Sequence, residues 1–216
     1  MDSVSSQLET IAAGVRAHWQ EKSAARERAL ANGREAIRNC ANAIRAVHRN
    51  ELDKAGELLD RARALLDETA QALQGHADIL HAGYVEDAQK EYAEGRVTLA
   101  LIAGTPLPGP EQLGVSAAAY MNGAAEAVGE MRRYILDQLR QGRTERCEAL
   151  LAAMDDIYSV LVTMDFPDAM TGGLRRSTDN ARGILERTRG DLTMALVQQR
   201  VQQRLAEGIG GARSLD

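Results

Sequence analysis

The segment Gly104–Gly114 constrains the fold most, because it contains three prolines, which a helix interior does not tolerate. On both sides of it, apolar residues recur at the three- and four-residue spacing of a helix. We therefore predict one helix that ends near Ala103, a second that begins near Ser116, and a hairpin in which the two fold back on each other.

The same periodicity runs through the rest of the chain, and no alternation typical of a strand reaches a useful length. We predict an all-α, single-domain bundle of about six to seven helices over residues 1–207, followed by a flexible C-terminal tail at 208–216. Only 3% of the residues are aromatic, so the core must be built from Leu, Ala, Ile, Val and Met. The predicted helices are Ser3–Arg49, Glu51–Gly75, one from His76 or Ala77 to Ala103, Ser116–Gln141, Arg143–Met164, and one that starts between Met170 and Leu174 and ends near Ala206.

Several features favour a cytoplasmic protein without a membrane partner. No apolar run approaches the length of about 18 residues that a transmembrane helix needs. The N-terminus lacks the basic and apolar regions of a signal peptide. Cys40 and Cys147 stand alone, without CxxC spacing, and are interpreted as small core residues in a reducing compartment.

Charge is segregated along the chain, although the net charge is −5. Residues 16–49 hold eight basic and three acidic side chains, residues 51–100 hold five basic and eleven acidic, and residues 171–213 hold eight basic and four acidic. The basic segments are either solvated helix faces or a surface for a polyanion. Charge alone favours solvated faces.

Two carboxylate pairs lie on the two helices of the predicted hairpin. Glu91 and Glu94 are three residues apart, and Glu126 and Glu130 are four apart, so each pair shares a helix face. Glu94 lies ten residues before the proline segment and Glu126 ten residues after Ser116, which places both at the same level. Four carboxylates converging at one level is an arrangement that a divalent cation requires.

The apolar positions of both helices fall on other faces than these acids, so we expect the carboxylates to point away from the main core. For a single glutamate, a solvated surface position is the alternative. The segment Val97–Ala103 is apolar almost all round, which favours burial in an oligomer.

Five segments in order resemble the translin family, and specifically its translin-associated factor X-like branch. They are Ala43–Arg49, Leu52–Leu59, Gln89–Glu94, Tyr120–Arg133 and Gly173–Asp179. Gln89–Glu94 is similar to the Gln-Glu-Tyr-Val-Glu segment of that branch, and Tyr120–Arg133 to its Tyr-x-x-Gly-x-x-Asp-Leu-x-Gly-Glu-Leu-x-Arg. The likeness covers nearly the whole chain.

The resemblance implies a helical subunit that assembles into a hollow shell, here a homo-octamer, with single-stranded RNA or single-stranded DNA inside. It also implies a magnesium-dependent endoribonuclease, with Mn²⁺ as an alternative to Mg²⁺. Glu91, Glu94 and Glu126 match the catalytic acids, and Glu130 matches the acid that follows them. These four residues are the predicted metal ligands.

Two positions depart from the catalytic pattern. Glu126 stands where the branch has Asp, and Ala88 stands where it has a further Glu, for which the neighbouring Asp87 is a possible substitute. The departures leave three functions open. They are a metal-dependent endoribonuclease, a shell that binds single-stranded RNA or DNA without cleaving it, and a helical scaffold without a nucleic-acid role.

Arginines in the basic helices and near the acids are candidates for phosphate contacts. Arg133 could instead pair with Glu130 along its own helix. His48 and His81 are candidates for nucleic-acid contact or proton transfer, with an ordinary polar helix position as the favoured alternative. Trp19 could stack on a base or anchor a subunit interface, and we favour the interface. The predicted nucleic-acid-binding residues are Arg34, Arg38, Arg133, Arg175 and Arg176.

Overall fold

The computed structural model describes residues 3–80 and 83–212, and this part of the chain is almost entirely helical and contains no strand. The helices are α1 (Val4–His48), α2 (Leu52–Ala72), α3 (Ala77–Leu80), α4 (Gly83–Ala103), α5 (Pro110–Leu113), α6 (Ala117–Arg140), α7 (Cys147–Leu161), α8 (Asp168–Thr171) and α9 (Leu174–Ala212). The predicted all-α class is confirmed.

The six predicted helices correspond to α1, α2, α4, α6, α7 and α9. Of the three helices of four residues, α3 was predicted as the start of the helix that ends near Ala103, α5 lies in the proline segment that was predicted to be a loop, and α8 directly precedes the last long helix. α9 continues to Ala212, into the segment predicted as a tail, while residues 213–216 lie outside the described part. The flexibility of 208–216 stays a prediction. His81 also lies outside the described residues.

Local chemistry sets the helix ends. Ser3 and Ser116 cap α1 and α6, since each side chain accepts a hydrogen bond from a backbone N–H of the first turn. Asn50 adopts a left-handed conformation (φ 60°) in the short turn between α1 and α2. Gly104 (φ 74°) occupies the same region just after α4, where a side chain would be strained.

α4 is the central helix of the bundle and packs against α1, α2 and α6. α6 is in turn covered by α7 and α9. The core is aliphatic as predicted, with Leu59, Ile102, Met131, Ile135, Met154, Leu161 and Leu192 almost completely buried. Cys40 and Cys147 are free and buried, whereas Trp19 and Phe166 are exposed. No helix in the described ranges is long and apolar enough to cross a membrane.

Two glycines let α4 approach its neighbours closely. A Cβ on Gly123 of α6 would lie 2.6 Å from the carbonyl oxygen of Lys90 and 2.8 Å from the amide nitrogen of Glu94. A Cβ on Gly95 of α4 would lie 2.7 Å from Cδ2 of Leu59 in α2. The contact at Gly123 is backbone against backbone, so this residue sets the distance between α4 and α6.

The apolar end of α4 is packed against several neighbours within the subunit, and its contact with a second subunit stays a prediction. Val97, Ala100 and Ile102 are buried within the subunit, and Leu99 and Leu101 are half-buried. The reason is that α4 has neighbours on several sides within one chain. The described chain exposes a row of apolar side chains at the start of α1. They are Val4, Leu8, Ile11, Val15 and Trp19.

We expect Gly123→Ala to destabilise the protein, because the added methyl group meets backbone atoms that cannot move without separating α4 from α6. The expected loss is about 1–3 kcal/mol, typical of overpacking, measured by urea denaturation. Gly129→Ala in the same helix is the matched control. Its Cβ would meet only Cδ1 of Ile184 at 3.7 Å, so the substitution should be neutral or stabilise by roughly 0.5–1 kcal/mol. Equal effects at both positions would contradict the assignment.

Candidate metal centre

Three of the four predicted acids converge between α4 and α6. Glu91, Glu94 and Glu126 each offer a carboxylate oxygen, and these oxygens all lie within 4.8 Å of one another. Glu91 and Glu94 share one face of α4, and Glu126 comes from α6 at the same level of the hairpin. The level predicted by counting residues from the turn is therefore correct.

The carboxylates do not point away from the core, as we expected from the positions of the apolar residues. Glu94 is only 9% exposed, and Glu91 and Glu126 are half-buried. α4 contacts α1, α2 and α6, so its polar face is enclosed along with its apolar one. Thr98, one turn beyond Glu94, is completely buried for the same reason.

Lys90 supplies a positive charge at this site. Its Nζ donates to Oε1 of Glu126 at 2.8 Å and lies 3.8 Å from Oε1 of Glu91. Burial lowers the pKa of Lys90, but the hydrogen bond to Glu126 and the nearby acids outweigh it, and the net shift is upward. The lysine remains charged beside the carboxylates.

Burial and mutual repulsion disfavour the ionised acids. Burial, followed by the charges of Glu91, Glu126 and Glu130, raises the pKa of Glu94 to about 8, and only Lys90 opposes this shift. Burial is also the main cause of a raised pKa at Glu91. A buried carboxyl group that holds a proton at neutral pH, as Glu94 does, is one that a bound cation would stabilise in its ionised form.

Glu130 has a different partner from the other three acids. Its Oε2 lies 2.5 Å from Nε2 of His48 in α1 and 3.8 Å from Nη1 of Arg133. The hydrogen bond with His48 is the main cause of the lowered pKa of Glu130. His48 is almost fully buried, and its Nδ1 has no hydrogen-bond partner among the described residues. Glu130 therefore flanks the three converging acids and is held in place from α1.

A polar cleft of about 590 Å³ opens directly beside the carboxylates. Lys90, Asp87 and Glu126 form one side, and the start of α9 forms the other with Arg176, Ser177 and Asn180. Asn122 joins the two sides. Its amide donates to the carbonyl oxygen of Thr171 at 2.8 Å and accepts from the Ser177 hydroxyl at 2.7 Å. The start of α9 is thus fixed against α6.

The structure separates the two arginines Arg175 and Arg176, which were predicted to act together. Arg176 lines the cleft, is exposed, and has no ion-pair partner in the described part of the chain. Arg175 lies 3.4 Å from Asp165 and lines a different depression with Met164 and Phe166. Of these two arginines, only Arg176 lines the cleft beside the carboxylates.

The remaining predicted arginines lie farther from the carboxylates or are paired. Arg133 makes the i,i+3 contact with Glu130, which was the alternative to a phosphate contact. Arg38 pairs with Glu35 at 2.9 Å, whereas Arg34 is exposed without an ion-pair partner in the ranges described. A helix turns by 100° per residue, so Arg34 and Arg38 lie within about 80° of His48 around the α1 axis. His48 contacts Glu130, so both arginines are on the side of α1 that faces Glu130.

The two departures from the catalytic pattern have structural consequences. Ala88 is buried where α1 packs against α4, with its Cβ 3.9 Å from the position of a Cβ on Gly33, and it contributes no carboxylate to the site. Asp87 is exposed and lines the cleft. Its charge contributes to the raised pKa of Glu91, so it lies near enough to act on the site electrostatically.

The donor set fits a hard divalent cation. Two oxygens on opposite sides of Mg²⁺ are about 4.2 Å apart, because each ligand distance is about 2.1 Å. The oxygens of Glu91, Glu94 and Glu126 all lie within 4.8 Å of one another, so one cation could contact all three once the side chains draw together around it. Lys90 would have to release the oxygen of Glu126 that it now binds.

Two parts of the site had no signal in the sequence. Lys90 belongs to the segment Gln89–Glu94, and nothing in the chain indicates that its side chain crosses to Glu126 of α6. Asn122 and Ser177 are 55 residues apart and meet only after α6 and α9 pack. The only indication in the sequence is that Asn122 directly precedes Gly123, the residue at which α6 packs closely.

No protein-family model matches the chain. The chain is 33% identical to AfC3PO, with a TM-score of 0.79 over 86% of this chain and 96% of the other, in a crystal structure and in a structure of its complex with duplex RNA. NeC3PO in its apo form shares the fold at 16% identity and a TM-score of 0.76, over 84% of this chain and 95% of the other. Uncharacterized protein MJ0175 of Methanocaldococcus jannaschii is 27% identical over 190 residues, which are 85% of this chain and 82% of that protein.

The raised pKa of Glu94 predicts that stability falls with pH. The carboxyl titrates near its ordinary 4.5 in the unfolded chain and near 8 in the fold, so its contribution is intact below 4.5 and is lost as pH rises towards 8. Glu94→Gln removes this loss. We expect the Tm of Glu94→Gln minus the Tm of the parent, both measured in chelator, to be larger at pH 9 than at pH 5 by roughly 4 °C or more.

Glu51→Gln is the control for this experiment. Arg49 and Lys54 hold the pKa of Glu51 at about 2, so the carboxylate is ionised at both pH values. Its Tm difference from the parent should be the same at pH 5 and pH 9. A Glu94→Gln difference that is also independent of pH would show that Glu94 is not held protonated.

Proposed function

The chain belongs to the translin/C3PO family, and from this premise we propose that it binds RNA and cleaves it at Glu91, Glu94 and Glu126 with a bound Mg²⁺ or Mn²⁺. Single-stranded RNA is the proposed substrate. The family relative AfC3PO has been solved with duplex RNA, so a duplex is the substrate to compare. The proposal places the chain in the catalytic, translin-associated factor X-like branch of the family.

One observation carries the catalytic proposal, namely three carboxylates within 4.8 Å of one another beside a cleft that holds an unpaired arginine. Acids alone would repel a polyanion. An acid group next to Arg176 and Lys90 can instead bind a cation and a phosphate side by side. The cleft volume of about 590 Å³ is sufficient for a nucleotide.

The residues have separate roles in this mechanism. Glu91, Glu94 and Glu126 would hold the cation, which when bound lowers the pKa of a coordinated water and offsets charge on the scissile phosphate. Arg176 offers its planar fork of donors to phosphate oxygens from the opposite wall. His48 holds Glu130 by a hydrogen bond, so that this carboxylate keeps a fixed position next to Glu94 and can orient a water molecule.

A non-catalytic RNA- or DNA-binding shell is the second candidate. It is favoured by Lys90, which already neutralises Glu126, and by Ala88, which contributes no carboxylate where the catalytic pattern has one. In this case the acids and Lys90 form a structural ion-pair group. The cleavage experiment described below distinguishes the two.

Self-association into a homo-octameric shell is part of the proposal. The supporting surface is the row Val4, Leu8, Ile11, Val15 and Trp19, which recurs every three or four residues and is exposed along one side of α1. An exposed row of this kind is suited to helix packing against another subunit. Trp19, 66% exposed, is the largest side chain in the row and keeps its proposed role as an anchor.

We expect Glu94→Gln and Glu126→Gln each to abolish RNA cleavage, because each removes a ligand charge while keeping the side-chain size. RNA binding should persist, since a negative charge near phosphate is lost. Labelled single-stranded and duplex RNA are incubated with Mg²⁺, Mn²⁺ or chelator, and products are separated on a denaturing gel. Glu57→Gln, an exposed acid of α2, is the control. A parent protein that cleaves neither RNA with either metal would favour the binding shell.

Arg176→Ala should weaken RNA binding about fivefold to tenfold, as expected for loss of a charged hydrogen-bond donor to phosphate. It should also reduce the slope of log K against log salt by roughly 0.7. Arg175→Ala is the matched control, because this arginine is adjacent in sequence but faces Asp165. Fluorescence anisotropy at several salt concentrations measures both. Equal losses in the two variants would place the RNA elsewhere.

The protein should form an assembly larger than a dimer, since the apolar row on α1 has no partner within the described chain. Multi-angle light scattering at micromolar concentration measures the mass against 23.4 kDa for one chain. Replacing Leu8 and Ile11 by Asp should lower the mass. Replacing the exposed Glu57 and Arg61 of α2 by Asp should leave the mass of the assembly unchanged. A parent protein that is monomeric would contradict the prediction.

A further inference from the structure

Lys90 places an ammonium group on two of the acids of the candidate metal site. Its Nζ is 2.8 Å from Oε1 of Glu126 and 3.8 Å from Oε1 of Glu91. Both acids belong to the converging group of three. The side chain is only 25% exposed, so the ion pair is shielded from bulk water and is stronger than a surface pair.

The ammonium and a divalent cation cannot both occupy this position. A cation bound by Glu91 and Glu126 would lie within a few ångströms of Nζ if the lysine stayed where it is. Repulsion between the two charges would be large in a partly buried site. A metal that takes the carboxylate oxygens now contacted by Lys90 therefore requires Lys90 to leave Glu126.

The adjacent cleft offers the place to which Lys90 can move. Lys90 already lines it, together with Arg176 and Asn180 on the opposite wall. The flexible four-carbon stem of lysine allows the ammonium to turn from the carboxylates into the cleft without a backbone change. There it would add a second positive charge to that of Arg176.

We propose that Lys90 is a resident counter-ion that a divalent cation displaces, and that the displaced ammonium then contacts RNA phosphate together with Arg176. The inference rests on the proposed function of the site. Without metal, Lys90 neutralises part of the acid group. With metal, the same charge serves RNA binding, so that metal and RNA each strengthen the binding of the other.

Metal affinity tests the first half of the proposal. Calorimetry with Mn²⁺ and no RNA is carried out on the full chain for the parent, Lys90→Gln and Lys90→Arg. Lys90→Gln should bind Mn²⁺ at least tenfold more tightly, because the competing charge is gone, and Lys90→Arg should stay within about threefold of the parent. Lys54→Gln, which removes an exposed lysine paired with Glu51, should match the parent.

Thermal denaturation shows whether Lys90→Gln folds and how its acids behave. In chelator its Tm should fall below that of the parent, since the acids lose their counter-ion, and excess Mn²⁺ should raise its Tm more than it raises that of the parent. An Mn²⁺ affinity of folded Lys90→Gln that equals or is weaker than that of the parent would overturn the proposal.

RNA binding tests the second half of the proposal. The ligand is a 2′-O-methyl oligonucleotide, which lacks the 2′-hydroxyl, and Arg176 is left intact in every variant. The factor by which Mn²⁺ tightens binding should be smaller in Lys90→Gln than in the parent and in Lys90→Arg. Equal factors would refute the phosphate contact.

Glu126→Gln, measured in parallel, separates this inference from the proposed function. If Mn²⁺ binding depends on Glu126 but not on the charge at Lys90, the metal site stands and the counter-ion role is wrong. If the parent binds no Mn²⁺, or binds it independently of Glu126, the proposed metal site fails and the role of Lys90 fails with it.

Discussion

The close packing of α4 against α6 is the constraint on which the site depends. Gly123 allows the two backbones to meet at distances that no Cβ tolerates, directly opposite Lys90 and Glu94. At this separation, Glu126 of α6 reaches the same point as Glu91 and Glu94 of α4. A wider hairpin would leave four separate surface acids, each solvated and of little chemical interest.

The same proximity creates an electrostatic cost that the structure only partly relieves. Glu94 is buried among other acids, and its pKa of about 8 indicates that it holds a proton at neutral pH. Lys90 offsets Glu126 and Glu91 from within α4, and His48 offsets Glu130 from α1. Three of the acids thus have a hydrogen-bond or ion-pair partner in the protein, while the Glu94 carboxyl has none among the described residues. An enclosed carboxylate without a counter-ion is the position at which an external cation gains most.

The arrangement around the acids also orders the surrounding cleft. Asn122 lies next to Gly123 and fixes the start of α9 through Thr171 and Ser177, so Arg176 is held across the cleft from Lys90. In α6, Gly123 controls how closely α4 approaches at the site, and its neighbour Asn122 fixes the opposite wall of the cleft. This explains why a polar cleft can persist in a bundle whose core is made of Ala, Leu and Met.

The sequence by itself determined the helical class, the six long helices, the hairpin and the common level of Glu94 and Glu126, since these follow from local periodicity, proline chemistry and helix rise. It did not determine that α4 is enclosed, that Lys90 crosses to Glu126, or that Arg175 and Arg176 face different surfaces. Those features depend on which helix packs beside which. Glu94 looked solvent-facing on its own helix and is buried because α1 and α6 cover it. Such burial is a property of neighbours that lie far away in the chain, so only the tertiary structure could decide it.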